Sequence, residues 1–83
     1  MADKRHEAVC AQVVRLLKAE RERQGLSKYA AAERSGLSEA MIGYVERGER
    51  RPSLETAVRM AAALKVNLGD LLKQAYKSVL RSN

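Results

Sequence analysis

The 83-residue sequence has few of the residues that stabilise small secreted domains. Its one cysteine, Cys10, excludes an intramolecular disulfide, and with a single histidine, His6, it forms no cysteine–histidine cluster for zinc. Phenylalanine and tryptophan are absent, and three tyrosines are the only aromatic residues. We therefore expect one small domain over residues 1–83, stabilised by helix packing or by a second copy of the chain.

Long apolar runs are also missing. The opening stretch MADKRHEAVC contains no signal-peptide core, and no segment approaches the length of a transmembrane helix. The single cysteine fits a reducing compartment. We expect a soluble, cytoplasmic protein.

Charge is present but not concentrated. Sixteen lysines and arginines against ten acidic residues give a net charge of +6. A basic balance favours a polyanionic partner such as nucleic acid. Because the excess is spread along the whole chain, it supports that partner only weakly.

Helix signals dominate, while alternating strand patterns are scarce. Serine or asparagine stands before four apolar-periodic stretches, and glycine follows several of them. Short loops between the stretches predict an all-α bundle of five helices, over about residues 6–24, 28–35, 39–47, 54–64 and 68–80. The expected apolar stripes are Val9, Val13, Leu16 and Leu17 in the first helix, Leu54, Ala57, Val58, Ala61 and Leu64 in the fourth, and Leu68, Leu71, Leu72, Ala75, Tyr76 and Val79 in the last.

The second and third helices, joined by the short turn SGLS, have the pattern of a helix-turn-helix. In this motif the second helix enters the DNA major groove and presents its outward residues to base edges. At about 100° per residue, Met41, Ile42 and Val45 face inward. The opposite face carries Glu39, Ala40, Gly43, Tyr44 and Arg47.

The stretch from GLSKYAAAERSGLSEAMIGYVERG to ALKVNLGDLL resembles the Cro/C1-type regulators, the XRE family of lambda-repressor-like helix-turn-helix proteins. The resemblance covers about residues 13–72. It implies a five-helix DNA-binding domain with the motif at about residues 27–47. It also implies a homodimer that binds two half-sites of a double-stranded DNA operator.

The resemblance implies roles for individual residues. Two positions depart from what such regulators commonly carry or favour. Lys28 stands where glutamine is common, and it would meet phosphate as a point charge. The carboxylate of Glu39 is repelled by phosphates but can accept from cytosine and exclude wrong sequences. The implied sets are Glu39, Ala40, Gly43 and Tyr44 for bases; Ser27, Lys28, Ser38, Arg47, Arg50 and Arg51 for phosphates; and Arg21 with Glu46 as a largely buried structural ion pair.

The last helix, about residues 68–80, bears on oligomeric state. Its apolar stripe continues beyond the resemblance, and a symmetric partner would bury it. Alternatively, the helix folds back on the first helix of its own chain. The residues expected at a dimer interface are Leu72, Ala75, Tyr76 and Val79, and two-fold symmetry predicts a palindromic operator.

The sequence offers no catalytic constellation and no phosphate-cradling glycine loop, so we expect neither an enzyme nor a cofactor, metal or small-molecule effector. Cys10 is interpreted as an inert, core or part-buried thiol and His6 as a surface residue. The favoured function is sequence-specific regulation of transcription, by a phage-type repressor, a restriction–modification controller or an antitoxin. The alternative is a helical protein–protein adaptor, or an antitoxin-like partner protein, that keeps the fold without specific DNA binding.

Overall fold

The computed structural model describes residues 4–81, and this range contains five α-helices and no β-strand. The all-α architecture predicted from the sequence is therefore confirmed. No helix within the described range is long and apolar enough to cross a bilayer. The helices are α1 Arg5–Arg23, α2 Lys28–Ser35, α3 Glu39–Glu46, α4 Leu54–Ala63 and α5 Leu68–Arg81.

The helix starts follow from short polar side chains. Each capping residue accepts a hydrogen bond from the backbone N–H three positions later, which satisfies one of the amides that a helix start leaves without an intrahelical partner. The caps are Ser27, Ser38, Ser53 and Asn67, with distances of 3.0, 3.0, 3.1 and 3.3 Å respectively.

All five helices contribute buried side chains to one core. Leu17 of α1 and Ile42 and Val45 of α3 are its most deeply buried large side chains. Helix α1 packs against α3 and α5, α2 packs against α3 and α4, and α4 contacts α5. Because α3 uses one face for this core, its opposite face is left to solvent.

The stripe expected on α4 is partly wrong. Leu54 and Val58 are 75 % and 49 % exposed, whereas Ala57 and Ala61 are buried together with Met60. Val58 lies about 110° around the helix from the centre of the buried stripe, at 3.6 residues per turn. Leu54 occupies the first helical position.

Cys10 is exposed, which corrects the expectation of a core or part-buried thiol. The buried stripe of α1 is formed by Val9, Val13 and Leu17. Cys10 follows Val9 directly, so it lies about 60° around the helix from the centre of that stripe, at its edge. His6 is exposed near the start of the same helix.

Candidate nucleic-acid interface

The turn between α2 and α3 is compact. Gly36 closes α2 in the left-handed region, with φ of 72°, and its N–H donates to Ala32 O at 3.0 Å. A side chain at this φ is strained, and an added Cβ would also lie 3.0 Å from Nη1 of Arg59. Ser38 then caps α3 immediately after Leu37. The turn thereby fixes the direction in which α3 leaves α2.

The outward face of α3 carries most of the residues expected there. Glu39, Ala40, Tyr44 and Arg47 are exposed, whereas Ile42 and Val45 are buried on the opposite side. Gly43 is the exception, because it lies on the outward face and is nevertheless buried.

Residues from α2 and α3 meet in one shallow depression of about 330 Å³ on this face. Lys28, the first residue of α2, contributes its side chain from the neighbouring helix. Lys28, which was expected at a phosphate, therefore lies beside the α3 residues that were expected at bases. The lining residues are Lys28, Glu39, Ala40, Gly43, Tyr44 and Arg47.

Two guanidinium groups lie over the ring of Tyr44. The guanidinium carbon of Arg47 is 5.4 Å from the ring centroid, and that of Arg50 is 5.6 Å away. At these distances the ring attracts a cation through its negative face. Tyr44 is therefore held by charged neighbours while remaining exposed.

Arg47 is ion-paired with Glu49, a residue that the sequence analysis did not single out. Nε of Arg47 donates to Oε2 of Glu49 at 2.6 Å. This hydrogen bond raises the pKa of the Arg47 guanidinium above its ordinary value and lowers the pKa of the Glu49 carboxyl. Only the proximity of opposite charges in the stretch VERGER could have indicated the pair.

The connection between α3 and α4 carries two further arginines. Arg50 is exposed beside Tyr44, and Arg51 donates to the carboxylate of Glu7 at 2.7 Å. Glu7 belongs to the first turn of α1, so this contact ties the connection to the start of the chain's first helix. Both partners are largely exposed, and the pair contributes little to stability.

Arg21 and Glu46 form the ion pair that the resemblance implies, with side chains 10 % and 2 % exposed. Glu46 is the last residue of α3 and Arg21 lies near the end of α1. Hydrogen bonding to Glu46 raises the pKa of Arg21 above its ordinary value. The pair joins the outward-facing helix to the core scaffold.

The residues expected at a dimer interface divide into two groups. Ala75 is fully buried in the chain's own core, where α5 folds back on α1, and it offers no surface to a second copy. Leu72 and Val79 are half-buried, and Tyr76 is exposed. Leu80, which the sequence analysis missed, is exposed on the same helix.

The described residues hold no group of three or more histidine, cysteine, aspartate or glutamate side chains arranged to bind a metal ion. The charged residues of the candidate interface are instead arginines, one lysine and two glutamates. Such a face suits a polyanion that also presents hydrogen-bond donors and acceptors in a fixed pattern, as the base edges do in the DNA major groove.

Comparison with known proteins agrees with this geometry. A family model described as helix-turn-helix matches residues 17–71. No curated protein matches the chain. The chain is similar in fold to the crystal structure of a point mutant of the restriction–modification controller protein C.Esp1396I, with a TM-score of 0.80 and 20 % identity over 90 % of this chain and 97 % of that one. The chain belongs to the helix-turn-helix family of the Cro/C1 (XRE) type, a family of DNA-binding transcriptional regulators.

Proposed function

We propose that this protein reads a palindromic DNA operator in the major groove as a homodimer and regulates transcription from it. The observation that carries the proposal is the depression shared by α2 and α3, in which an exposed helix face and a lysine from the neighbouring helix lie together. Such a face can bring side chains to base edges while its flank meets the phosphates.

Phosphate contacts are proposed for the starts of α2 and α3. Ser27 and Ser38 use their oxygens as caps, so each hydroxyl proton is left to donate to a phosphate oxygen. The positive ends of the helix dipoles favour an anion at the same places. Lys28, beside Ser27, adds a full positive charge.

Arg50 and Arg51 are proposed to meet the backbone beyond the end of α3. Arg50 is exposed and, within the described residues, contacts the Tyr44 ring rather than a carboxylate. Arg51 would exchange Glu7 for phosphate, and the modest strength of an exposed ion pair makes this exchange easy.

Base contacts are proposed for the middle of the face. Ala40 can pack against a thymine methyl, and the Tyr44 hydroxyl can donate or accept at a base edge. Glu39, at the start of α3, can accept from a cytosine amino group and penalises other bases through repulsion.

The homodimer is proposed to form through the outer half of α5. Leu72, Tyr76 and Leu80 recur every four residues, with Tyr76 and Leu80 55 % and 57 % exposed. An apolar stripe left in water favours burial against a symmetric copy, and a small domain gains stability from that burial. Two copies would then present their α3 helices to grooves about 34 Å apart.

The proposal is tested by selecting a motif from a randomised duplex library and then titrating a fluorescent duplex that carries it, the operator duplex, and a scrambled duplex at several salt concentrations. We expect affinity to fall steeply with salt, by a slope of about 0.9 per phosphate contact, and the operator to be preferred throughout. Equal, weak binding to both duplexes at all salt concentrations would instead favour the protein–protein adaptor.

A further inference from the structure

The side chain of Arg47 folds back across α3 instead of extending away from it. Arg47 follows the last residue of α3, yet its Nη1 lies 2.9 Å from the position that a Cβ on Gly43 would occupy. Its guanidinium carbon also lies over the ring of Tyr44. Side chains in helices lean towards the N-terminus, so this group covers the turn before its own Cα.

The guanidinium group of Arg47 consequently lies among the residues proposed to face bases, and Arg47 also lines a neighbouring depression with Arg50 and Arg51. It lines the same depression as Ala40, Gly43 and Tyr44. Neither Arg50 nor Arg51 lines that depression. The buried state of Gly43 on an otherwise exposed face has the same explanation, because Arg47 occupies the space above it.

We propose that Arg47 is a specificity-determining residue that reads a guanine in the operator. In this proposal Gly43 and Tyr44 hold the guanidinium group of Arg47 in place. This role replaces the phosphate contact expected from the sequence, and it rests on the proposed function. The planar guanidinium presents parallel donors that match O6 and N7 of guanine. Gly43 admits the group close to the helix, and the Tyr44 ring fixes its plane.

Glu49 is a positioning residue in this arrangement. It accepts from Nε of Arg47 at 2.6 Å and from Nη2 at 3.4 Å, so it holds one edge of the guanidinium. The end formed by Nη1 and Nη2 keeps donors for a base. Because both ion-paired side chains are about half exposed, the ion pair between Arg47 and Glu49 is weak, and the guanidinium group can shift when DNA binds.

The test begins with selection from a randomised duplex library by the wild-type protein, followed by the same selection with Arg47→Lys, Gly43→Ala and Arg34→Lys. Lysine keeps the charge of Arg47 but lacks its fork of donors. Alanine at Gly43 meets only the far end of a flexible side chain, and it favours the helix, so the fold is expected to persist. Thermal unfolding of each variant checks this. Arg34→Lys, exposed on α2 and outside the depression and the proposed phosphate contacts, is the matched control.

We expect Arg47→Lys and Gly43→Ala to lose preference for guanine at the same position of each half-site, by about five- to 150-fold against the other bases. Arg34→Lys is expected to keep the wild-type motif. Glu49→Gln is expected to lower discrimination at that guanine while it raises affinity for scrambled DNA, since a negative charge is removed. A Glu49 that does not position Arg47 would leave discrimination at that guanine unchanged.

Two results would overturn the inference in different ways. If the wild-type protein selects a motif that Arg47→Lys and Gly43→Ala both retain, while Arg47→Ala weakens all duplexes equally, Arg47 is a phosphate contact and the proposed function stands. If the wild-type protein selects no motif, the proposed function fails and the inference fails with it.

Discussion

Arg21 and Glu46 join the end of α1 to the end of α3 through two parallel hydrogen bonds, from Nε to Oε2 at 2.7 Å and from Nη2 to Oε1 at 2.9 Å. Nη1 of Arg21 also donates to Leu26 O at 2.7 Å, so the loop before α2 is included. One guanidinium group therefore fixes α1, α3 and the loop before α2 relative to one another.

We predict that Glu46→Ala lowers the free energy of unfolding by about 3–5 kcal/mol, because it strands a nearly buried guanidinium. For a domain of this size that is a large part of the total. Urea denaturation measures the loss. The double variant Arg21→Met with Glu46→Leu, which removes both charges, is expected to lose less than the single variant. A loss below about 1 kcal/mol for Glu46→Ala would contradict the structural role.

We predict that Lys28→Ala weakens binding about equally on operator and scrambled duplexes, since a phosphate contact carries no sequence information. The slope of log affinity against log salt should fall by about one. Lys18→Ala, exposed on α1 outside the depression, is the matched control. A change of base preference in Lys28→Ala would move Lys28 into the base-reading set.

We predict that Tyr76→Lys weakens self-association at least about tenfold without unfolding the chain, because the ring is exposed in the single copy and lysine would place a charge in the proposed apolar interface. Sedimentation equilibrium measures the dissociation constant. Tyr29→Lys, an equally exposed tyrosine on α2, is the control. If Tyr76→Lys and the wild-type protein associate equally, the outer half of α5 is not the interface.

We predict an acid-dependent contribution to stability from Glu20. Hydrogen bonds from Arg23 and Gln24 lower the pKa of its carboxyl from 4.5 to about 2. Because the folded state binds this proton less readily, the contribution is complete above pH 4.5 and is lost as the pH falls towards 2. Gln24 also donates to Leu64 O at 2.8 Å, so the cluster links α1 to the end of α4.

The corresponding measurement compares wild type and Glu20→Gln by urea denaturation between neutral and strongly acidic pH. The stability difference should shrink through that window. A pH-independent difference for Glu20→Gln would show that the carboxylate does not contribute through its charge.

Local chemistry explains why much of the fold could be predicted. Ser27 and Ser38 cap their helices through bonds within four residues, and Gly36 ends α2 through its own φ angle. None of these depends on distant contacts. The inward position of Ile42 and Val45 followed from periodicity in the same way.

Other features depend on how helices cross and how long side chains fold. Ala75 and Tyr76 are neighbours in one apolar stripe, yet packing against α1 buries the first and leaves the second in water. The same limitation applies to Gly43. Its place on the outward face of α3 indicated an exposed residue. Arg47 lies four residues later, however, and its side chain fills the space above Gly43. Side-chain direction of this kind is not visible in a periodic pattern.

The most direct test of DNA reading by this protein is selection from a randomised duplex library with the bound fraction sequenced. We predict a two-fold symmetric motif whose half-site centres lie about one helical turn apart, as two α3 helices in successive major grooves require. Recovery of no enriched motif would contradict sequence-specific operator binding and leave the helix-turn-helix fold to serve as an adaptor.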